Sequence, residues 1–176
     1  METPQLLELL AAGPVIAAVK DEEGLAQALE SDVSVLFLLY GDILTIRDTA
    51  ERVREAGKRV FVHLDLIDGL AAREISADFV ARSTSADGVI STKAALTRRA
   101  RELGLVAIQR IFLLDSMALK NVERHFSRES ADLVEVLPAV YSLPSLSAAR
   151  VKAPAVSRVH TVVRAPVVRS IFTSSG

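Results

Sequence analysis

The sequence SVLFLL at residues 34–39 and the sequence RVFVHLDL at residues 59–66 decide the fold prediction. Both stretches are rich in β-branched and aromatic residues, which predicts a strand in each. A nearly continuous apolar run such as 34–39 is typical of a parallel strand that is covered on both faces. Residues 43–56 predict a helix that ends at Gly57, where glycine allows a left-handed terminus. Together these stretches predict a parallel β-α-β unit.

The same alternation of strand and helix continues on both sides of this unit. It predicts further strands at 14–19, 88–91, 106–112 and 133–137, and further helices beginning at 21 and covering 71–82, 93–103 and 116–126. The phosphate-binding patterns GxGxxG and GxxxxGK[ST] are absent from the sequence, which argues against the common nucleotide-binding sheets. The short spacing favours an α/β fold of one domain, a small TIM-type (β/α)8 barrel, with residues 1–140 forming a (β/α)6 portion.

The C-terminal segment, residues 141–176, differs from the rest of the chain, so the last two βα units are expected to be divergent or incomplete. From residue 136 onward there are five basic residues and no acidic one, and the only glycine is Gly176. Under one interpretation the segment is divergent, as after a frameshift, and the resulting open sheet edge favours a homo-oligomer. Under the other it is a variant tail that forms two irregular strands, at 159–163 and 167–172.

Composition excludes several classes of protein. The chain of 176 residues contains no cysteine, so disulfide frameworks, thiolate metal sites and cysteine nucleophiles are excluded. No apolar run is long enough to span a membrane, and residues 1–10 lack the basic start of a secretory signal. We therefore expect a cytoplasmic protein with no membrane partner.

Polar residues stand at the carboxyl ends of the predicted strands, which is where barrels place their active sites. The candidate site residues are Lys20, Asp42, His63, Asp65, Ser91, Lys93, Arg110 and Glu135. Taken singly, each is explained by pairing with a neighbour, but all six strand ends together favour a site for an anionic polyol. An acid–base pair of His63 and Asp65, a Schiff-base lysine and a metal site are weaker interpretations of the same residues.

Two helices carry clusters of basic residues. Their members are Arg52, Arg54 and Lys58 on the first and Arg98, Arg99 and Arg101 on the second. Glutamates are interleaved in both clusters, so charge alone favours a solvated, salt-bridged face. The alternative is a surface that binds a phosphate backbone.

Six strings of the sequence resemble one known family. They are PVIAAVKD, LLYGDI, VFVHLDLIDGL, DGVISTK, AIQRIFLLDSMAL and VEVLP, in order over residues 10–140. They resemble the glycerol uptake operon antiterminator regulatory proteins. The resemblance implies a non-enzymatic barrel that responds to glycerol 3-phosphate, binds the leader mRNA of glycerol-utilisation genes and lets transcription pass a terminator. It implies further that the eight candidate residues line a sensor pocket for this small phosphorylated polyol, without a metal or another cofactor. The two basic clusters become candidates for RNA contacts.

The chain departs from this family pattern after the sixth strand, where the family has a glycine-rich loop. Barrels of this type hold phosphate with the loops after strands 7 and 8, and residues 141–175 contain no glycine. We therefore expect weak or absent binding of glycerol 3-phosphate. Two alternatives remain: a barrel enzyme (an aldolase, isomerase or phosphodiesterase) acting on a small phosphorylated polyol, or an inactive remnant with a disrupted C-terminus.

Overall fold

Six parallel strands form a curled sheet whose outer face is covered by helices. The structure is a computed structural model, and it describes residues 1–13, 15–112, 130–137, 149–153 and 156–164. The parallel strands are β1 (Val15–Val19), β2 (Val35–Leu38), β3 (Arg59–His63), β4 (Gly88–Ser91), β5 (Val106–Phe112) and β6 (Leu133–Leu137). The helices are α1 (Thr3–Ala12), α2 (Glu22–Glu30), α3 (Ile46–Glu55), α4 (Ile75–Ser83) and α5 (Ala94–Glu102). Each strand pairs with the next in sequence order, from β1 to β6.

Two further strands complete the sheet in a different way. They are β7 (Ala149–Ala153) and β8 (Val156–Arg164), and the strand order is β1-β2-β3-β4-β5-β6-β8-β7 in a closed barrel. Strand β7 is parallel to β1, whereas β8 is antiparallel to both β6 and β7. Only residues 154 and 155 separate β7 from β8, which permits a hairpin but not the crossover that a parallel pair needs. The last two strands therefore do not form regular βα units of a (β/α)8 barrel.

The predicted and observed elements differ in several places. The predicted strand 59–66 ends at His63, because Leu64–Leu66 forms a short 3-10 helix. Strand β8 includes the predicted strand 159–163, but the predicted strand 167–172 and the predicted helix 116–126 lie outside the described residues. Helix α1 was not predicted from the sequence. Among the described residues, no helix is both long and apolar enough to cross a membrane.

The core has two layers, because alternate residues of each strand point to opposite faces of the sheet. The outer layer packs the sheet against the helices, through residues such as Val62 on β3 and Val53 on α3. The inner layer fills the barrel, and its largest members are Phe37 and Phe61, with ring centroids 5.6 Å apart. Leu6 of α1 belongs to this inner layer, so α1 closes one end of the barrel. This is the end at which the strands begin.

Asp87 connects the amino-terminal ends of β3 and β4. The side chain of Asp87 is buried and accepts a hydrogen bond of 3.0 Å from the backbone N–H of Val60 on β3. It also pairs with Arg54 of α3 at 2.9 Å and with Arg59 at 3.3 Å. The contact joins a helix, the strand that follows it and the next strand.

The same contact recurs at β5 and β6. Asp132 accepts a hydrogen bond of 2.9 Å from the backbone N–H of Ala107 on β5, and it pairs with Arg101 of α5 at 3.0 Å. The backbone N–H of Asp132 in turn donates to the Ala107 carbonyl at 2.9 Å. Two β-α-β units of the barrel are thus stabilised by an equivalent arginine–aspartate contact.

Candidate ligand-binding site

Charged and polar side chains gather at the carboxyl ends of the parallel strands, a region we call the mouth. Its members are Lys20, His63, Asp65, Ser91, Thr92, Lys93, Arg110 and Glu135. Three of them, His63, Arg110 and Glu135, lie two residues after inner-layer positions of their strands, so they point into the barrel. The mouth therefore contains buried charge above an apolar barrel interior.

A buried ion pair joins β5 and β6. Arg110 and Glu135 are register partners, and their side chains are 7% and 0% exposed. The guanidinium donates through Nε to Glu135 Oε2 at 2.6 Å and through Nη2 to Oε1 at 3.1 Å. A two-point contact of this kind fixes the plane of the guanidinium as well as its position.

His63 stands beside this pair without a hydrogen bond of its own. The residue is 2% exposed, and neither Nδ1 nor Nε2 has a partner among the described residues. Its Nδ1 lies 4.0 Å from Asp65 Oδ2, which is too far for a hydrogen bond. Burial, together with the positive charge of Arg110, lowers the pKa of His63 to about 4. The imidazole is therefore neutral at pH 7.

Asp65 is held by the end of β4. Its carboxylate accepts hydrogen bonds from the Ser91 hydroxyl at 3.0 Å and from the Thr92 backbone N–H at 2.7 Å and hydroxyl at 3.0 Å. Burial opposes ionisation, but these donors outweigh it and lower the pKa of Asp65. The 3-10 turn at Leu64–Leu66 positions the carboxylate for these contacts.

The remaining predicted site residues are more exposed. Lys93 Nζ lies 3.5 Å from Asp65 Oδ1, and its side chain is 48% exposed. Lys20 is exposed just beyond β1. Asp42 Oδ1 accepts hydrogen bonds from the backbone N–H groups of Leu44 and Thr45, both at 2.8 Å, so it shapes the turn before α3.

Thr92 of the mouth and its hydrogen-bond partner Gln109 are absent from the set of predicted site residues. Thr92 contributes two donors to Asp65, and Gln109 donates from Nε2 to the Thr92 carbonyl at 3.0 Å. The signal for Thr92 was its place between two predicted site residues, Ser91 and Lys93. Gln109 lies on the outer face of β5, next to α5, whereas Arg110 lies on the inner face. The alternation of side chains along the strand is the signal that distinguishes the two residues.

The six basic residues predicted as RNA contacts do not form one group of free cations. Arg52 pairs with Glu22 at 2.6 Å, and Arg99 pairs with Asp78 at 2.8 Å and Glu102 at 2.9 Å. Arg54 and Arg101 are engaged by Asp87 and Asp132, as described above. Lys58 is buried and donates to the backbone carbonyls of Ser31 and Val33. Arg98 is exposed and makes no hydrogen bond or ion pair within the described ranges.

No group of three histidine, aspartate or glutamate residues that could hold a metal ion occurs in the part of the chain that the structure describes. The carboxylates of the mouth are instead engaged by guanidinium, hydroxyl and backbone N–H donors.

Comparison with known proteins identifies the class. Residues 15–158 match the model of the glycerol-3-phosphate responsive antiterminators, and the chain belongs to that family. It is 40% identical over 133 residues to the uncharacterized protein YgcP of Escherichia coli (strain K12), covering 76% of this chain and 70% of that protein. The resemblance of the sequence to antiterminator regulatory proteins is thereby confirmed.

Two solved structures have a similar fold. The glycerol uptake operon antiterminator regulatory protein from Listeria monocytogenes has a TM-score of 0.68 and 27% identity, over 72% of this chain and 69% of that one. A glycerol uptake operon antiterminator-related protein from Thermotoga maritima has a TM-score of 0.64 and 34% identity, over 71% and 70%. The family places the protein among regulators of glycerol metabolism.

Proposed function

We propose that this protein is a cytoplasmic transcription antiterminator that binds glycerol 3-phosphate at the mouth and the leader mRNA of glycerol-utilisation genes on its surface. The observation that carries the ligand part is the mouth itself, with a buried imidazole that lacks partners beside a buried arginine–glutamate pair. The family membership supports the regulatory part.

The charges of the mouth fit a small phosphorylated polyol. Lys20, Lys93 and Arg110 supply cations for the phosphate, while Asp65 and Glu135 supply acceptors for hydroxyl groups. Because residues 141–175 lack glycine, we propose that side-chain cations hold the phosphate where a backbone cradle is usual. The expected affinity is accordingly low.

The geometry favours binding over catalysis. The 4.0 Å between His63 Nδ1 and Asp65 Oδ2 leaves the imidazole without an orienting carboxylate, and hydroxyl and backbone donors engage Asp65. A carboxylate that orients a base normally lies within hydrogen-bond reach of it, about 2.6–3.2 Å. We therefore propose a sensor pocket and place the barrel-enzyme alternative second.

A melting series tests the ligand. Millimolar glycerol 3-phosphate should raise the Tm in a saturable way, because a ligand at a hundred times its Kd stabilises the folded state by about 2.7 kcal/mol. The control is glycerol at the same concentration, which lacks the phosphate. A chimera whose residues 139–176 come from a glycine-containing relative should shift further. If neither protein shifts, glycerol 3-phosphate is not the ligand.

RNA binding requires its own experiment. Arg98 is the member of the two basic clusters that stays exposed without an ion pair among the described residues, so Arg98→Ala should weaken binding to a leader RNA. Each lost phosphate contact should reduce the salt slope by about 0.7–0.9. The matched control is Arg82→Ala on α4, whose side chain is 75% exposed. Equal slopes in a gel-shift titration of both variants and the unaltered protein would reject α5 as the RNA face.

The enzyme alternative predicts turnover. Incubation with glycerophosphodiesters or triose phosphates should leave the substrates unchanged under the sensor hypothesis. Turnover that disappears in Asp65→Asn would instead establish a barrel enzyme with Asp65 in its active site.

A further inference from the structure

The buried imidazole of His63 is not explained by packing. A polar group at 2% exposure normally has a hydrogen-bond partner, and both ring nitrogens of His63 lack one among the described residues. Yet the residue sits on the inner face of the barrel, two positions after Phe61 and beside Arg110 and Glu135. A group held in this state is ready to bond to something that enters the mouth.

Apart from Lys20, the charged side chains of the mouth stand in pairs of opposite sign. Arg110 is neutralised by Glu135, and Lys93 lies 3.5 Å from the carboxylate of Asp65. A doubly charged phosphate monoester that enters this region brings negative charge next to buried groups, where unbalanced charge is costly. Lys20 at the rim offers one positive charge. Among the described residues, a second positive charge is available from a group that can gain one near neutral pH, and histidine is such a group.

We propose that His63 is a specificity residue of the mouth, which takes up a proton as a doubly charged phosphate monoester enters and so favours that ligand over singly charged polyol acids. This inference rests on the proposed function, since it concerns the same site. It adds to that function the ionic form of the ligand and a coupling between ligand binding and proton binding.

The groups that face His63 set the direction of this coupling. Burial and Arg110 on β5 disfavour the imidazolium, while Asp65 in the turn after β3 and Glu135 on β6 favour it, with the net result that the pKa falls to about 4. A ligand dianion adds two negative charges and a hydrogen-bond acceptor, both of which raise the pKa of the imidazole. A carboxylate monoanion adds only one charge.

NMR of the histidine side chains tests the inference directly in the full chain, which has three histidines. The imidazole resonance that is missing from the spectrum of His63→Gln is assigned to His63. Glutamine is chosen because it keeps an N–H donor but does not titrate. Without ligand, the His63 signal should titrate well below pH 6. With saturating glycerol 3-phosphate its midpoint should rise by about three pH units or more, to near pH 7, and with saturating glycerate it should rise less.

Binding affinity gives a second readout. A proton bound together with the ligand is lost as pH rises, so the Kd for glycerol 3-phosphate should increase between pH 6.5 and pH 8 in the unaltered protein. The phosphate group is mostly a dianion throughout this range, since its second pKa is about 6. His63→Gln should show no such increase, whereas Lys20→Met should bind more weakly and keep the same pH dependence.

The outcomes distinguish the proposed role of His63 from the proposed identity of the ligand. A protein that binds glycerol 3-phosphate with an unmoved His63 midpoint and a flat pH profile overturns the role of His63 and leaves the proposed ligand in place. A pH profile that persists in His63→Gln assigns the proton to another group and overturns the inference equally. If the unaltered protein binds no glycerol 3-phosphate at any pH, the ligand of the proposed function is wrong, and this inference falls with it.

Discussion

The two ends of the barrel differ in how completely their polar side chains are paired. At the amino-terminal end, Asp87 and Asp132 each join a helix arginine to a strand N–H, so those carboxylates are fully engaged. At the carboxyl end, His63 has no hydrogen-bond partner among the described residues, and the side chain of Lys93 is 48% exposed. The first end is built for stability. The second keeps polar groups available at a cost in stability, as expected of the functional end of a βα barrel.

The largest effect is expected where the mouth contains a fully buried charge pair. Glu135→Ala leaves the guanidinium of Arg110 buried without a counter-charge, which should lower the free energy of unfolding by about 3–5 kcal/mol. Urea denaturation at pH 7 measures the loss. The double variant Arg110→Met/Glu135→Leu is the control, since removal of both charges is often neutral or stabilising. If it is as unstable as Glu135→Ala, packing rather than charge explains the loss.

At the amino-terminal end of the barrel, the contacts of Asp87 and Asp132 should contribute differently to stability. Asp87→Ala should cost about 3 kcal/mol, because two arginines and a strand N–H lose a fully buried acceptor. Asp132→Ala should cost roughly half as much, because its carboxylate is 17% exposed and pairs with one arginine in the described contacts. Chemical denaturation of both variants compares them. Ligand affinity should stay unchanged in both, and a loss of binding would show that the two ends are coupled.

The buried imidazole makes stability at the mouth depend on pH. Because the pKa of His63 is lowered to about 4 in the folded protein and is near 6.5 in the unfolded chain, the unfolded state binds more protons between these values. The contribution of His63 to the free energy of unfolding is therefore at its full value above pH 6.5. It decreases by roughly 2–3 kcal/mol as the pH falls towards 4. His63→Leu should lack this component and, at pH 7, should be at least as stable as the unaltered protein.

Denaturation curves at several pH values decide this. The difference between the unaltered protein and His63→Leu isolates one imidazole, since the other titrating groups are common to both. Parallel stability profiles of the two proteins from pH 7 to pH 4.5 would mean that His63 is hydrated or already bonded in solution.

The parallel strands and most of the polar positions at their carboxyl ends could be predicted because both depend on local pattern. Apolar runs mark covered parallel strands, and a polar residue directly after such a run lies at the carboxyl end. The end of β3 could not be predicted from local pattern. The 3-10 turn at Leu64–Leu66 contains Asp65, whose carboxylate is bound by Ser91, 26 residues later in the sequence. The ion pairs of the basic residues could not be predicted either, because their partners are distant in sequence. Arg54 and Arg101 are held by acids 33 and 31 residues later.

The sequence carries a partial signal for the arginine–aspartate contacts. The similar strings REAG at 54–57 and RELG at 101–104 stand at equivalent helix ends, and the tripeptide SAD occurs at 76–78, 85–87 and 130–132. The last two copies of SAD follow these helix ends and contain the aspartates of the two contacts, whereas the copy at 76–78 lies in α4 and its Asp78 pairs with Arg99. Helix α1 was likewise signalled by Pro4 in its first turn and by Leu6 and Leu10, which lie four residues apart and are buried.

The smallest effect on stability is expected at the rim of the mouth. Lys93→Met keeps the aliphatic stem and removes the cation, and the exposed pair with Asp65 at 3.5 Å contributes little to folding, so the free energy of unfolding should change by no more than about 0.5 kcal/mol. The affinity for glycerol 3-phosphate should nevertheless fall, by about 1.5–3 kcal/mol, the range for a hydrogen bond to a charged group. Calorimetric titration beside a thermal melt separates the two quantities. The matched control is Arg82→Met, an exposed cation on α4 that should alter neither. If Lys93→Met binds as tightly as the control, Lys93 does not contact the ligand, and Arg110 and Lys20 remain as the cations that hold the phosphate.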